Sequence, residues 1–453
     1  MAEIVDNLDV AIEPFFTKEE LNQLAEESGF IQRQRKLHGH AFLDLIVFYS
    51  DNLKTQSLND LALILEEKHQ IIIQTQSLNE RFNDNALVFL KDALEKMLKK
   101  QLDVEHVLSD IKGINRVLVK DSVCFQIDES LVEYYPGSGG SGSKASVRIQ
   151  FEYDILCGKI NDLSVNAFND QDAKDSIATI ELIEKGDLII RDLAYTSLTV
   201  LSAIVGKMAF YLCRLNHKVK VYEKKGDLYK EINFTKLYKY MKKNNIDMLE
   251  KEVYLGLKEK LKTRLIIHVM PEKEVAKRIR KARETAKKKG RQKELTKEYI
   301  ARAHLNLFTT NAGADQIPAE NVWKLYRLRW QIELAFKIWK SICNIEKVKK
   351  VKKHRLECYI YSKLIFIVLG WQIVWQIARN LYSLEGKALS FFKAFKTLLR
   401  KKDTEIREVF LEGNVTIKDF MIKFYKLSRR FHLLEKKQEG PTSLEILLSC
   451  STV

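Results

Sequence analysis

Over residues 1–112 apolar side chains recur every three or four positions, the period of helices with one buried face. "TKEELNQLAEESGF" opens with Thr17 as an N-cap and Glu20 at the capping-box position, and Gly29 is placed to stop the helix. "SLNDLALILEEKH" and "TQSLNERFNDNALVFLKDALEKMLKK" predict two more amphipathic segments joined by a short connection. Ser77, Asn79, Arg81 and Asn83 fall on the second, and such side chains suit a helix that reads the major groove of DNA. A plain helical bundle explains the same pattern equally well.

The texture then changes. "INRVLVKDSVCFQIDES" and "ASVRIQFEYDILCGKINDLSV" are rich in β-branched and aromatic residues and alternate in places, which predicts strands. The Pro/Gly/Ser loop "YPGSGGSGSKA" (135–145) separates them. "AKDSIATIELIEK" predicts a helix, and "GDLIIRDLAY" a turn into a short apolar strand, so the class is α/β with a buried parallel element. Strand patterns return over 205–270, in "MAFYLCRLNHKVKVYEK" and "TRLIIHVMP". Residues 273–302 are helical and carry thirteen Lys or Arg against four Glu, a run that fits a phosphate-facing surface somewhat better than a solvated face. "LNLFTTNAG" reads as a strand. Residues 356–453 are helical, with Gly386, Gly413 and Gly440 as breaks. Within them "LIFIVLGWQIVWQIA" (364–378) is interrupted by Gln372 and Gln376 and reads as a core helix rather than a membrane span.

Charge narrows the partner. The 453 residues hold 46% apolar and 30% charged side chains, a folded composition, with a net charge of +16 and a pI near 9.3. That excess favours a polyanion, nucleic acid first and a membrane surface second. The basic run has no aromatic or Leu-rich opposite face, so no membrane partner is expected. Six cysteines (Cys124, Cys157, Cys213, Cys343, Cys358, Cys450) lack metal or disulfide spacing and read as free thiols of a reducing compartment. No secretory pattern is visible in "MAEIVDNLDVAIEPFFTKEEL", and the expected location is cytoplasmic.

The candidate chemistry centres on "YRLRWQIELAFKIWK" (326–340). On one continuous helix Tyr326, Arg329, Glu333 and Lys340 would share a narrow strip beside the apolar face, at the rim of whatever the helix buries. Asp128 follows the apolar run "VCFQI" and Asp192 follows "DLIIR". Carboxylates at strand ends of an α/β sheet can converge on one crevice. With Glu333 they would offer hard oxygen ligands to Mg²⁺ or Mn²⁺, and a two-ion site is the arrangement that clamps a phosphodiester displacement. Arg329 and Lys340 would balance phosphate charge, Tyr326 would bond a phosphate oxygen, and Trp330 would stack on a base. Each acid also has a local reading as a cap or an i, i+4 partner, and Glu129, Asp154, Asp170, Asp172, Asp175 and Asp187 are rivals.

The spacing Y-(2)-R-(3)-E-(6)-K on Tyr326, Arg329, Glu333 and Lys340 resembles the signature of insertion-sequence transposases of the IS-four family. The resemblance extends to "FTTN", "YPGSGG…KASVRIQFEYDILCGKI" and "GDLIIRDLAYTSL" in family order, closest to the Bacillus-type subgroup of longer transposases. It implies an RNase H-like catalytic core with a β-rich insertion, flanked by N-terminal and C-terminal helical regions. The implied division is a helical DNA-binding domain at 1–112 and half-cores at 113–195 and 306–355. The insertion with its basic helical segment then lies at 196–305 and the helical region at 356–453. The D-D-E triad would fall on Asp128, Asp192 and Glu333, and Arg214 in "YLCRLN" would contact DNA. Members bind terminal inverted repeats as dimers, cleave with metal-activated water and join the 3′-OH end to target DNA, some through a hairpin. An endonuclease without strand transfer, or a DNA-binding relic, would share these features. Two positions depart from the family. Its first Asp usually precedes a small hydroxyl residue and then Thr, where Asp128 precedes Glu129 and Ser130, and Ala194 stands where Gly is usual.

Overall fold

The computed structural model describes residues 16–33, 36–101, 112–137, 142–170, 172–288, 295–412 and 416–435. Gly413, Gly440, Cys450, part of the Pro/Gly/Ser loop (138–141) and part of the basic run (289–294) lie outside the described residues. The chain divides into two compact units. The first comprises Met1–Val107, Ser122–Asp170 and Gln331–Pro441, and the second Leu108–Asp121, Gln171–Trp330 and Thr442–Val453.

In the first unit, helix Lys18–Glu27 starts with the predicted capping box, Thr17 and Glu20 each accepting from the other's backbone N–H, and Gly29 follows at φ 72°. Helix Leu58–His69 is opened the same way by Ser57 and Asp60. The segment predicted next as one helix is two, Thr75–Glu80 and Asp84–Lys99, because Asn83 caps the second by accepting from Ala86 N. Ser77 and Asn79 therefore lie on a short helix whose buried residue is Leu78. Helix Asp84–Lys99 packs along Lys353–Glu385, which runs 33 residues and ends at Gly386 in the left-handed conformation. That helix is long and apolar enough to cross a membrane, but 83% of its most apolar stretch is buried inside the protein, as in a core helix.

Strands β2 (Ser146–Asp154) and β3 (Ile160–Ala167) form an antiparallel pair in this unit, with β2 also neighbouring β1 (Arg116–Gln126). Alternation gives β2 two faces. Phe151 and Tyr153 meet the rings of Trp339 and Trp371 at centroid distances of 4.9 and 5.1 Å, while Arg148 on the other face donates to Phe168 O and Ser122 Oγ. Trp371 Nε1 donates to Gly158 O at 2.8 Å, and a side chain at Gly158 (φ 80°) would strike Trp375 at 2.4 Å.

In the second unit the strand order is β1, β4 (Asp187–Arg191), β5 (Phe210–Arg214), β10 (Leu305–Thr310), β9 (Leu261–Val269), β8 (Met248–Leu255), β6 (Val221–Lys225) and β7 (Leu228–Glu231). β4 is parallel to both β1 and β5, whereas β10, β9 and β8 continue antiparallel. β4 and β10 are wholly buried, which accounts for their uninterrupted apolar reading. Within the strand-patterned stretch 205–270 a helix, Phe234–Lys243, also forms. Phe234 and Met241 enter the core with Tyr211, Leu265 and Ile267. The predicted basic helix is Glu272–Lys288, with Val275 as its buried residue.

Candidate active site

The parallel ladder of β1 and β4 runs from Arg116↔Asp187 to Lys120↔Arg191. Carried one step past its last pair, this register sets Asp121 opposite Asp192. Two carboxylates so placed repel, and a cation must offset them. Arg329 supplies one, its Nη1 lying 3.0 Å from Asp121 Oδ2. Asp192 begins the 3₁₀ turn Leu193–Tyr195 with extended backbone, and its side chain makes no capping bond there. Tyr326 is buried against the Phe308 ring, centroids 5.2 Å apart. Burial pushes its hydroxyl up to about 12; the Asp192 charge adds to that and Arg329 and Arg214 oppose it. Asp192, Arg214 and Arg329 are thus each within electrostatic reach of Tyr326, and Asp121 is tied in through Arg329. Arg214, half-buried at the end of β5, also lowers the pKa of Arg278 beyond the effect of burial.

Asp128 has a different setting, in the first unit. Ile127 N donates to Ala145 O, and Asp128 then opens the 3₁₀ turn Glu129–Leu131. Its Oδ1 accepts from Ser130 Oγ at 2.5 Å and Ser130 N at 3.0 Å, and these bonds hold its carboxyl below the usual range. That is the local capping role open to any aspartate at such a turn.

The segment 326–340 is not one helix. Helix Ala319–Arg327 ends, Leu328–Trp330 form a 3₁₀ turn, and a new helix covers Gln331–Ser341. Three residues wound at 3.0 rather than 3.6 per turn rotate the second helix by roughly 60° relative to the first, so the single strip of four side chains is lost. Tyr326 and Arg329 are buried, Glu333 is exposed, and Lys340 is half-buried. Tyr326 and Arg329 belong to the second unit, Glu333 and Lys340 to the first. Glu333 sits in a helical first turn, where a carboxylate suits the helix dipole. Lys340 Nζ donates to Cys124 O at 3.1 Å and lies 3.3 Å from Glu346. Trp330 is 63% exposed, as a base-stacking side chain needs to be.

Among the rival acids, Asp187 is buried and paired with Arg116 at 2.6 Å, and Asp175 pairs with buried Lys120 at 2.6 Å. Both are structural. Among the described residues no three His, Cys, Asp or Glu side chains form a group able to hold a metal ion. Asp121 is the residue that the sequence pattern leaves out. A signal for it is present: Lys120 and Asp121 interrupt the apolar alternation of "RVLVKDSVCF" in mid-strand. Ser122 behind Asp121 is also the small hydroxyl residue that Asp128 lacks.

The chain resembles known proteins along most of its length. Residues 113–369 match the family described as "Transposase DDE domain". The chain is 30% identical over 450 residues to the transposase for insertion sequence element IS231F of Bacillus thuringiensis subsp. israelensis, covering 94% of this chain and 90% of that one. It is 31% identical to the IS231E transposase of subsp. finitimus (92% and 88% covered) and 29% identical to the IS1151 transposase of Clostridium perfringens (97% and 95%). Among solved structures it resembles a piggyBac transposase synaptic complex with hairpin DNA, at TM-score 0.46 and 10% identity, over 98% of this chain and 87% of that one. The family match over residues 113–369 and the nearly end-to-end alignment with insertion-sequence transposases make this chain a member of the DDE transposase family of insertion sequences.

Proposed function

We propose that this transposase binds the terminal inverted repeats of its own element and cuts and rejoins DNA there, with Asp121, Asp192 and Glu333 as the D-D-E carboxylates. Asp121 takes the place that the sequence pattern gives to Asp128. The observation that carries this reading is the β1–β4 register, whose last pair, Lys120↔Arg191, stands one residue before Asp121 and Asp192 on their two strands. Supporting it, Ser122 follows Asp121 in the family's manner, while Val123 stands where Thr is usual. An RNase H-like core split into 113–195 and 306–355 around an insertion at 196–305 is supported by the parallel strands β1, β4 and β5 and the antiparallel hairpin of β2 and β3. Helical regions at 1–112 and 356–453 complete the proposed division, the first binding DNA.

DDE chemistry depends on divalent metal, and the all-oxygen, anionic donor set fits Mg²⁺ or Mn²⁺, two ions by the family's pattern. Such ions, when bound, supply an activated water or 3′-OH and balance charge on the phosphodiester. The chain's own residues do the rest. Arg329 pairs with Asp121 and orients it. Tyr326, protonated at neutral pH, donates to a phosphate oxygen, and Arg214 and Lys340 attract neighbouring phosphates. Trp330 stacks on an exposed base. The enzyme works on double-stranded DNA, element ends and target, as a homodimer in the cytoplasm at the nucleoid.

The test is cleavage of the element's own end in Mg²⁺ and in EDTA, comparing wild type with Glu333→Gln, and then strand transfer into a target plasmid. Mg²⁺-dependent cutting by wild type, with binding but no cutting by the variant, supports the reading. Cutting by Glu333→Gln at the wild-type rate removes Glu333 from the triad, and cutting without joining leaves an endonuclease. Binding without cutting by both proteins indicates a relic.

A further inference from the structure

The helix Phe234–Lys243, "FTKLYKYMKK", contains four lysines and no acid. Phe234, Leu237, Tyr238 and Met241 fall on one side of its helical wheel, and Lys236, Lys239, Tyr240 and Lys243 on the other, centres roughly 160° apart. The apolar side is locked down. Phe234 and Met241 are in the core, Arg302 lies over the Phe234 ring at 4.2 Å, and Tyr238 stacks on His304 at 4.4 Å and bonds its Nδ1 at 3.0 Å. The opposite side is held open to solvent: the three lysines are exposed and Tyr240 is 56% exposed.

This face has no counter-charge of its own. Some exposed lysines elsewhere in the same unit do meet carboxylates. Lys220 pairs with Glu231 at 2.9 Å, Lys262 with Glu252 at 2.9 Å and Lys277 with Glu274 at 2.7 Å. Even the neighbouring basic helix Glu272–Lys288 carries its own acids, and Arg278 there is turned inward onto the carbonyls of Ala303 and Leu305. Among the described residues Lys236, Lys239 and Lys243 make no ion pair. Three like charges within about 10 Å of helix repel one another unless an anion lies across them.

We propose that this face is a docking surface for the phosphate backbone of duplex DNA, additional to the cleavage site. Lys236, Lys239 and Lys243 meet phosphates, and Tyr240 bonds a phosphate or packs on sugar between them. The contact carries no base readout, so it serves flanking or target DNA as readily as the element end. The proposal rests on DNA being the partner of this transposase, and the test keeps the two apart.

Full-length protein is titrated with a duplex lacking the element end, and log Kobs is plotted against log salt. The triple variant K236Q/K239Q/K243Q is compared with K99Q/K220Q/K262Q, which removes the same charge from lysines that are already ion-paired. Three lost phosphate contacts make the slope shallower by about 2.7, at roughly 0.9 per phosphate, and the control changes it by less than about 1. Equal melting midpoints for the two variants exclude misfolding; since the substitutions are solvent-facing, equality is expected. An unchanged slope in the first variant, or equal changes in both, overturns the surface while leaving the transposase reading intact. Wild type that binds no duplex with a salt slope overturns both.

Discussion

Lys363 and Arg329 are both buried cations whose partners lie hundreds of residues away, yet they are used in opposite ways. Lys363, in the first unit, donates to the carbonyls of Ser50 and Asp51 at 2.6 and 2.8 Å, at the end of the π-helical turn Leu45–Tyr49. Those carbonyls would otherwise be unmade bonds at a helix terminus, so the contact is complete in itself. Arg329, in the second unit, pairs with Asp121, which the β1–β4 register, carried one step on, sets opposite Asp192. Its charge holds together an arrangement that costs free energy without a cation. Buried charge ending on backbone marks a structural joint, whereas buried charge balancing clustered acids marks a site.

The largest expected effect tests that distinction directly. Asp121→Asn and Asp192→Asn should each lower Mg²⁺-dependent end cleavage on the order of 10³-fold or more, the loss of several kcal/mol that a metal-held charge supplies. Asp128→Asn should cut within a few-fold of wild type. Gel assays on a labelled element end decide it. If Asp128→Asn is inactive and Asp121→Asn active, the register argument fails and Asp128 returns as first carboxylate.

Next in size is Arg329→Ala. Breaking a fully buried pair costs about 3–5 kcal/mol, and because Asp121 is 24% exposed about 1–3 kcal/mol is expected here. The unfolding midpoint in urea should fall accordingly, and added Mg²⁺ should restore more stability to the variant than to wild type. Arg329→Lys should recover only part, since an ammonium lacks the guanidinium fork. Equal response to Mg²⁺ in variant and wild type would break the link between Arg329 and the carboxylates.

These two experiments turn on facts of unequal visibility in the chain. The capping boxes at Thr17 and Ser57 are local, three-residue signals, and the wholly buried strands β4 and β10 are short apolar runs, so they can be read directly. The family signature likewise picks out Asp192 and Glu333, the two acids that the proposed triad keeps. The register of β1 against β4 joins residues 71 apart in sequence through backbone bonds, which side-chain patterns do not encode. Pattern alone therefore favours Asp128, the acid at the strand's end, over Asp121. The 3₁₀ turn at Leu328–Trp330 hides for a similar reason, since every residue of "YRLRWQIELAF" tolerates a helix and packing chooses the tighter turn. Helix Phe234–Lys243 is masked by its aromatic content, which favours strands, until Asn233 as N-cap and the spacing of Phe234, Leu237 and Met241 are weighed together.

Lys363 gives a smaller effect, visible only against pH. Burial lowers its pKa to about 7, against about 10.4 in an unfolded chain. Between those values the unfolded state binds more protons, so stability rises with pH across that window, by at most about 1.4 kcal/mol per unit. Urea midpoints at pH 7 and 9 should diverge between wild type and Lys363→Met, wild type gaining with pH and the variant not. Parallel profiles would show that Lys363 stays charged and that its carbonyl contacts alone decide its place.

Asp128 closes the comparison with the least effect of all. Its carboxyl is held below the usual range by the Ser130 hydroxyl and N–H. A depressed folded pKa means its contribution is present above the unfolded value, about 3.9, and is lost as pH falls through the folded one. At neutral pH Asn caps a turn nearly as well as Asp, so Asp128→Asn should leave the melting midpoint almost unchanged. Below about pH 4 wild type should lose its small advantage and the two profiles converge. The same variant then separates two kinds of aspartate near one strand. Asp128 answers to a hydroxyl two residues away and shows only in acid, while Asp121 answers to Arg329 across 208 residues and shows in cleavage. A clear neutral-pH destabilisation by Asp128→Asn would mean that its charge has a distant partner as well, and that the turn after β1 belongs with the site.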